Sequence, residues 1–189
     1  MGLRPERTYR EIVSTDGRHV LLRPLKWDDL DGSLGFINNL VDERAEDPDF
    51  PLLVDRKLTM EQEAEWFAQR FRSIEKGDVI EVVAEHDGKI VGTCDVIRGT
   101  FSDTRHHGTL AIFVAKGWRD VGIGKAMISE ILDQCRKDGL MTIELEALHT
   151  NGRAVDLYEK MGFREVGRIP KKVYRDGRFY DKLVMAIVL

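Results

Sequence analysis

Between residues 119 and 125 the chain reads Arg119-Asp120-Val121-Gly122-Ile123-Gly124-Lys125, a two-glycine turn leading from a strand-like run, Thr109 to Val114, into a helix-like run, Ala126 to Arg136. Such a turn leaves backbone N–H groups unpaired at the positive end of a helix, where they can hold a phosphate. Two kinds of phosphate loop do not fit. A Walker loop needs a Ser or Thr after Gly-Lys to hold magnesium, and here Ala126 follows Lys125. The dinucleotide fingerprint needs a third glycine where Met127 stands.

A second stretch runs from Asn151 to Phe163, directly after the alternating run Thr142 to Ala147. Ala154, Leu157, Tyr158 and Met161 recur at helical spacing, Asn151 suits the helix start and Gly162 its end, so Tyr158 faces inward. A lone inward tyrosine is ordinarily a core residue with its hydroxyl satisfied by a neighbour. Together, however, Arg-x-x-Gly-x-Gly at 119–124 and N-x-x-A-x-x-x-Y-x-x-x-G-F at 151–163 resemble the two signatures of the Gcn5-related N-acetyltransferase (GNAT) family, in the family's order and spacing.

The resemblance implies a direct acetyl transfer from acetyl-CoA to an amine, with no acyl-enzyme and no metal. It implies that residues Arg119 to Lys125 hold the pyrophosphate and that the backbone of Ile112, Phe113 and Val114 pairs with pantetheine like an added strand. It also implies that the Val114 N–H steadies the developing oxyanion, that Asn151 borders the cofactor, and that Tyr158 protonates the departing thiolate. Two departures stand out: Asp120 replaces the usual glycine and brings negative charge near a pyrophosphate, and Lys116 replaces a common proline. A catalytically idle module that senses acetyl-CoA is the alternative.

An α-amine has a reference pKa of about 8 and a lysine amine about 10.4, so acetylation needs a base or a water relay. Glu146, twelve residues ahead of Tyr158, matches the place where the ribosomal-protein acetyltransferases of the family carry a catalytic glutamate. Read without the resemblance, Glu144 and Glu146 are polar residues on one strand face. His107, whose imidazole titrates near neutrality, and Asp95 stay open as alternatives.

Positioning these groups requires one domain, which 189 residues supply comfortably. The composition, 42% hydrophobic and 33% charged, is that of a globular protein, and a net charge of −4 gives no broad attraction to nucleic acid. No run reaches the roughly 18 apolar residues of a membrane span, and Met1 to Arg10 lacks a signal-peptide core. Cys94 and Cys135 form no metal-type pair and match no nucleophile motif, which suits a reducing, cytoplasmic setting and two buried thiols.

In chain order, Tyr9 to Val13 and His19 to Leu25 read as a hairpin, followed by a helix capped by Asp28. Asp42 to Asp55, with Pro48 and Pro51, reads as an acidic loop, which is ordinarily solvated. The resemblance makes this loop part of the acceptor pocket, where its carboxylates would meet a cationic acceptor. Thr59 with Gln62 caps a second helix, and Asp87-Gly88 turns a second hairpin. Arg164 to Leu189 forms a third hairpin, whose cluster Lys171, Lys172, Arg175 and Arg178 reads as a charged edge strand.

The elements imply an α/β (α+β) class, a mixed sheet covered by helices. The resemblance sharpens this to a single GNAT domain over 1–189, its core from about residue 19. Its mostly antiparallel twisted sheet would have about seven strands, splayed at the centre and covered by about four helices. The resemblance implies a small-molecule or peptide amine as acceptor and allows a homodimer, since dimers are frequent in the family.

Overall fold

The computed structural model describes residues 8–47 and 49–189. Residues 1–7 and Pro48 lie outside the described residues, and with them most of the leader reading and one proline of the acidic loop.

The first hairpin pairs β1 (Arg10–Val13) with β2 (His19–Arg23) around a turn in which Gly17 takes φ 87°. A short 3-10 turn over Trp27–Asp29 then leads into α1 (Leu30–Glu46). The residue that organises this start is Asp29, not Asp28. Its carboxylate accepts the Lys26 backbone N–H at 2.7 Å and both Nη groups of Arg23 at 2.7 Å, whereas Asp28 is exposed. α1 continues to Glu46, so the first part of the expected acidic loop is helical and the loop proper begins at Asp47. α2 (Met60–Glu75) starts at the capping box of Thr59 and Gln62 that its sequence announces.

The second hairpin, β3 (Val79–His86) with β4 (Lys89–Arg98), turns on Asp87 and Gly88, both at positive φ. β5 (His107–Val114), α3 (Ile123–Lys137), β6 (Thr142–Leu148) and α4 (Gly152–Lys160) follow, and the chain closes with β7 (Arg164–Arg175) against β8 (Arg178–Val188). α3 begins three residues earlier than the apolar run suggested, which draws Gly124 and Lys125 into its first turn.

Among the described residues the result is one sheet of eight strands, in the order β1-β2-β3-β4-β5-β6-β8-β7, with four α-helices. The short β1 at the edge, the first strand of the expected hairpin, lies ahead of the core that begins near residue 19. Among the described strands only β5 and β6 are parallel neighbours. On one face, the α3 side chains Ile123, Met127, Ile128, Ile131 and Cys135 pack with strand residues such as Val82, Cys94, Val96, Ile143, Leu145 and Met185. Each fully buried aliphatic side chain in such a core contributes about 1.5–3 kcal/mol. The opposite face carries α1 and α2, where Phe36, Leu40, Phe50 and Leu52 form one cluster and Leu25, Phe67 and Val83 another.

Candidate active site

β5 and β6 pair only at His107–Thr142, Gly108–Ile143 and Thr109–Glu144. Past Thr109, β5 runs on against β4 as far as Val114, and β6 runs on against β8. A gap therefore opens in the middle of the sheet. The Ala115 N–H donates to the Val91 carbonyl at 2.9 Å and the Gly99 N–H to the His107 carbonyl at 2.9 Å. With those bonds in place, Ile112–Cys94 and Val114–Gly92 are non-hydrogen-bonded pairs of the β4–β5 ladder. The backbone groups of Ile112 and Val114 consequently turn toward the gap. Those of Phe113 are committed to Thr93 on β4, which removes Phe113 from the expected backbone edge and leaves it a lining residue.

At the open end of the gap stands the start of α3. Gly122 adopts φ 90° at the helix cap and no side chain caps the helix, so the amides of Ile123, Gly124 and Lys125 have no carbonyl one turn earlier to bond. The Val121 carbonyl accepts from the Thr15 N–H at 3.0 Å, tying this turn to the first hairpin. Arg119 serves the turn from within: its Nε donates to the Val114 carbonyl at 2.7 Å and its Nη2 pairs with Glu43 of α1. Arg119 thus reaches the cleft already paired, and beside the backbone stands Lys125, which is exposed and makes no ion pair among the described residues. Asp120 takes φ 63°, a left-handed conformation that glycine adopts without steric cost. Its carboxylate pairs with Arg153 of α4 at 2.9 Å, which offsets the negative charge beside the cradle.

α4 borders the other side. Asn151 caps it, accepting the Ala154 N–H at 3.2 Å, and Leu157 sits where a Cβ on Gly124 would meet it at 3.3 Å, so the two helices nearly touch. Tyr158 is buried, with its ring edge-on to Phe163 at 6.1 Å between centroids. Its hydroxyl has no hydrogen-bond partner among the described residues and is not sealed off, so it opens into the cleft. Burial, with the Cys94 sulfur nearby, raises its pKa above the usual phenol range. A phenol in that state stays protonated and has a proton to donate. The cleft measures about 640 Å³ and joins Ile112, Val114, Gly122, Gly124, Asn151 and Tyr158 in one space, with Phe50 and Pro51 of the α1–α2 loop at its rim.

None of the three candidate bases lines this cleft. His107 sits at the closed end of the gap, with Nδ1 3.0 Å from the Thr142 hydroxyl and Nε2 3.7 Å from Glu144. Asp95 is paired with Arg70 at 3.0 Å beside Glu81, and burial raises its carboxyl. Glu146 lies on the strand that borders the gap, on the face that carries α1 and α2, paired at 3.0 Å with the mostly buried Lys182 of β8. Sequence reasoning missed Lys182, Glu43 and Arg153. It also grouped Arg175 with surface charges, whereas Arg175 is 6% exposed and donates to the Phe50 carbonyl at 2.6 Å and the Leu52 carbonyl at 2.8 Å. Both thiols are buried and their pKa values are raised by that burial, Cys135 to about 12, which disqualifies them as nucleophiles. Among the described residues there is no cluster of metal-ligating side chains and no helix long and apolar enough to cross a membrane.

The family model described as acetyltransferase (GNAT) family matches residues 40–163. The [Ribosomal protein bS18]-alanine N-acetyltransferase of Escherichia coli (strain K12) is 35% identical over 78 residues, which are 40% of this chain and 51% of that protein. A probable N-acetyltransferase, camello, of Xenopus tropicalis is 34% identical over 83 residues, 44% of this chain and 37% of that protein. The chain spans about half the length, or less, of these curated relatives. Among solved structures, a ribosomal-protein-alanine N-acetyltransferase from Brucella melitensis superposes with TM-score 0.77 at 25% identity, covering 89% of this chain and 99% of that one. A phosphinothricin acetyltransferase from Sinorhizobium meliloti in complex with AcCoA shares the fold, with TM-score 0.76 at 22% identity over 90% of this chain and 88% of that one. With the gap between β5 and β6, the uncapped start of α3 and a family match over well over half its length, the chain belongs to the acetyltransferase (GNAT) family.

Proposed function

We propose that this chain is a single-domain, cytoplasmic N-acetyltransferase that moves the acetyl group of acetyl-CoA directly onto a primary amine of a small molecule or a peptide N-terminus. The observation that carries the reading is the one cleft that joins unpaired β5 backbone, the free α3 amides and the unpartnered Tyr158 hydroxyl. A diphosphate fits against the amides of Ile123, Gly124 and Lys125, helped by the Lys125 ammonium and the α3 dipole. The amides of pantetheine fit the exposed N–H and C=O groups of Ile112 and the N–H of Val114 as an added strand would. Arg119 already occupies the Val114 carbonyl, so the Val114 N–H is the group left to donate to the thioester oxygen as charge develops there.

In this reading Glu146, released from Lys182, takes a proton from the incoming ammonium, directly or through water. The amine lone pair then forms the C–N bond, the nitrogen gives up its second proton to water, the C–S bond breaks with its electron pair on sulfur, and Tyr158 supplies that sulfur's proton. Burial disfavours a bare thiolate for the same reason that it raises the phenol, so the leaving sulfur needs an acid at this place. Solvent restores the Tyr158 proton. The free hydroxyl of Tyr158, placed in the cleft, speaks against an idle sensor.

The test is thermal unfolding with ligand. Acetyl-CoA at 100 times its Kd adds about 2.7 kcal/mol to stability, which for a chain of this size raises Tm by roughly 5–10 °C. Gly124→Trp, whose side chain would fill the cradle and press on Leu157, is expected to abolish the shift. No shift in the parent protein at millimolar acetyl-CoA overturns the proposal. A shift without turnover of any amine or peptide leaves the sensor in its place.

A further inference from the structure

On the face that bears Glu146, two elements flank the gap. The α1–α2 loop lies on the β5 side, where the Phe50 ring packs against Phe113 with centroids 6.4 Å apart. The β7–β8 hairpin lies on the other side, and its Arg175 points the same way as Lys182 and Glu146. Cross-strand partners share a face, and the registers Arg175–Arg178, Leu148–Lys182 and Glu146–Val184 fix that parity. Arg175 reaches from the hairpin to the loop, donating through Nη1 to the Phe50 carbonyl and through Nη2 to the Leu52 carbonyl. The loop is held from behind as well. Arg44 Nε donates to the Leu52 carbonyl at 3.1 Å, and the Asn38 amide both donates to Leu58 at 3.1 Å and accepts from it at 2.8 Å.

We infer that Arg175 is a latch across the acceptor mouth, and that it limits the acceptor to small primary amines rather than the ends of polypeptides. The inference rests on the N-acetyltransferase reading above. A small amine can be enclosed beneath the contacts of Arg175 with Phe50 and Leu52. A polypeptide must leave the site as a chain, and to do so on this face it has to part those two hydrogen bonds. They join a buried charged donor to backbone carbonyls, the stronger class of hydrogen bond, and are costly to leave unmade in a buried place. Arg175 acts through the loop it positions and touches no reacting atom.

The experiment compares small primary amines with hexapeptides carrying a free N-terminus, using acetyl-CoA as donor and thiol release as readout. In the parent protein, kcat/KM for the best small amine should exceed that for every hexapeptide at least 100-fold. Arg175→Met, which keeps bulk and removes the donors, should raise hexapeptide kcat/KM at least tenfold through a lower KM, with the Kd for acetyl-CoA held within twofold. Arg175→Lys should fall between the two, and it carries the test if the Met variant does not fold. Hexapeptides turned over as well as small amines by the parent protein, or a ratio unmoved by both variants, overturn the latch while leaving the acetyltransferase standing. No turnover of either class, with acetyl-CoA still raising Tm, overturns both.

Discussion

Tyr158 and Glu146, the acid and the base of the proposed transfer, stand on unequal terms. The phenol is buried, unpartnered and held protonated, whereas the carboxylate sits half-exposed in an ion pair with Lys182. Tyr158→Phe should therefore lower kcat by about 10²–10⁴ while leaving the KM for acetyl-CoA nearly unchanged, and no fall in rate up to pH 10 should trace to ionisation of this phenol. Glu146→Gln should instead slow the reaction most where the amine is still protonated and least as pH rises toward the amine's own pKa; steady-state rates across pH separate the two roles. Tyr158 was legible because helical spacing and a thirteen-residue motif coincide on it. Arg175 was not. In sequence it is one cation among four at a hairpin tip, and its burial depends on a loop some 125 residues away.

At the scale of the element, β5 explains the site, since it pairs on both sides over its first three residues and on one side thereafter. Gly108 lies in the doubly paired part, and a Cβ there would run into Val96 and come within 2.8 Å of Leu140. Gly108→Ala should cost about 1–3 kcal/mol, seen as a Tm lowered by roughly 2–12 °C. An unchanged Tm would mean that β5 and β6 can separate at their joined end too. The hairpins, the Thr59 cap and the phosphate turn were readable from local pattern, because turn glycines and capping residues act over a few positions. The place where β5 and β6 part was not, since it depends on strands pairing across the whole chain. Asp28 failed as a cap for another reason: Arg23, six residues ahead of Asp29, pairs with that neighbour instead.

The whole molecule sets its stability against pH through a pair of acids below α2. Glu81 and Asp95, neighbours across the β3–β4 ladder, share Arg70 at 2.8 and 3.0 Å, and burial, with Asp95 alongside, pushes Glu81 up to about 7. A carboxyl with a raised folded pKa binds its proton more tightly in the folded chain than in the unfolded one. Its contribution is full below about 4.5 and is lost as pH rises through about 7. Tm should accordingly decline from pH 5 to pH 8, and Glu81→Gln should flatten that decline. A parent Tm that climbs over this interval, or a slope that Glu81→Gln leaves intact, refutes the assignment.

The parting of β5 from β6 has a further consequence for the protein when no acetyl-CoA is present. Most sheets have free rims only at their outermost strands, and this one carries an additional rim in its middle, along Ile112 and Val114. Exposed strand rims recruit other strands. The feature that admits a guest molecule thus also invites the extended segment of a neighbouring copy, so preparations stripped of ligand should self-associate more readily than saturated ones.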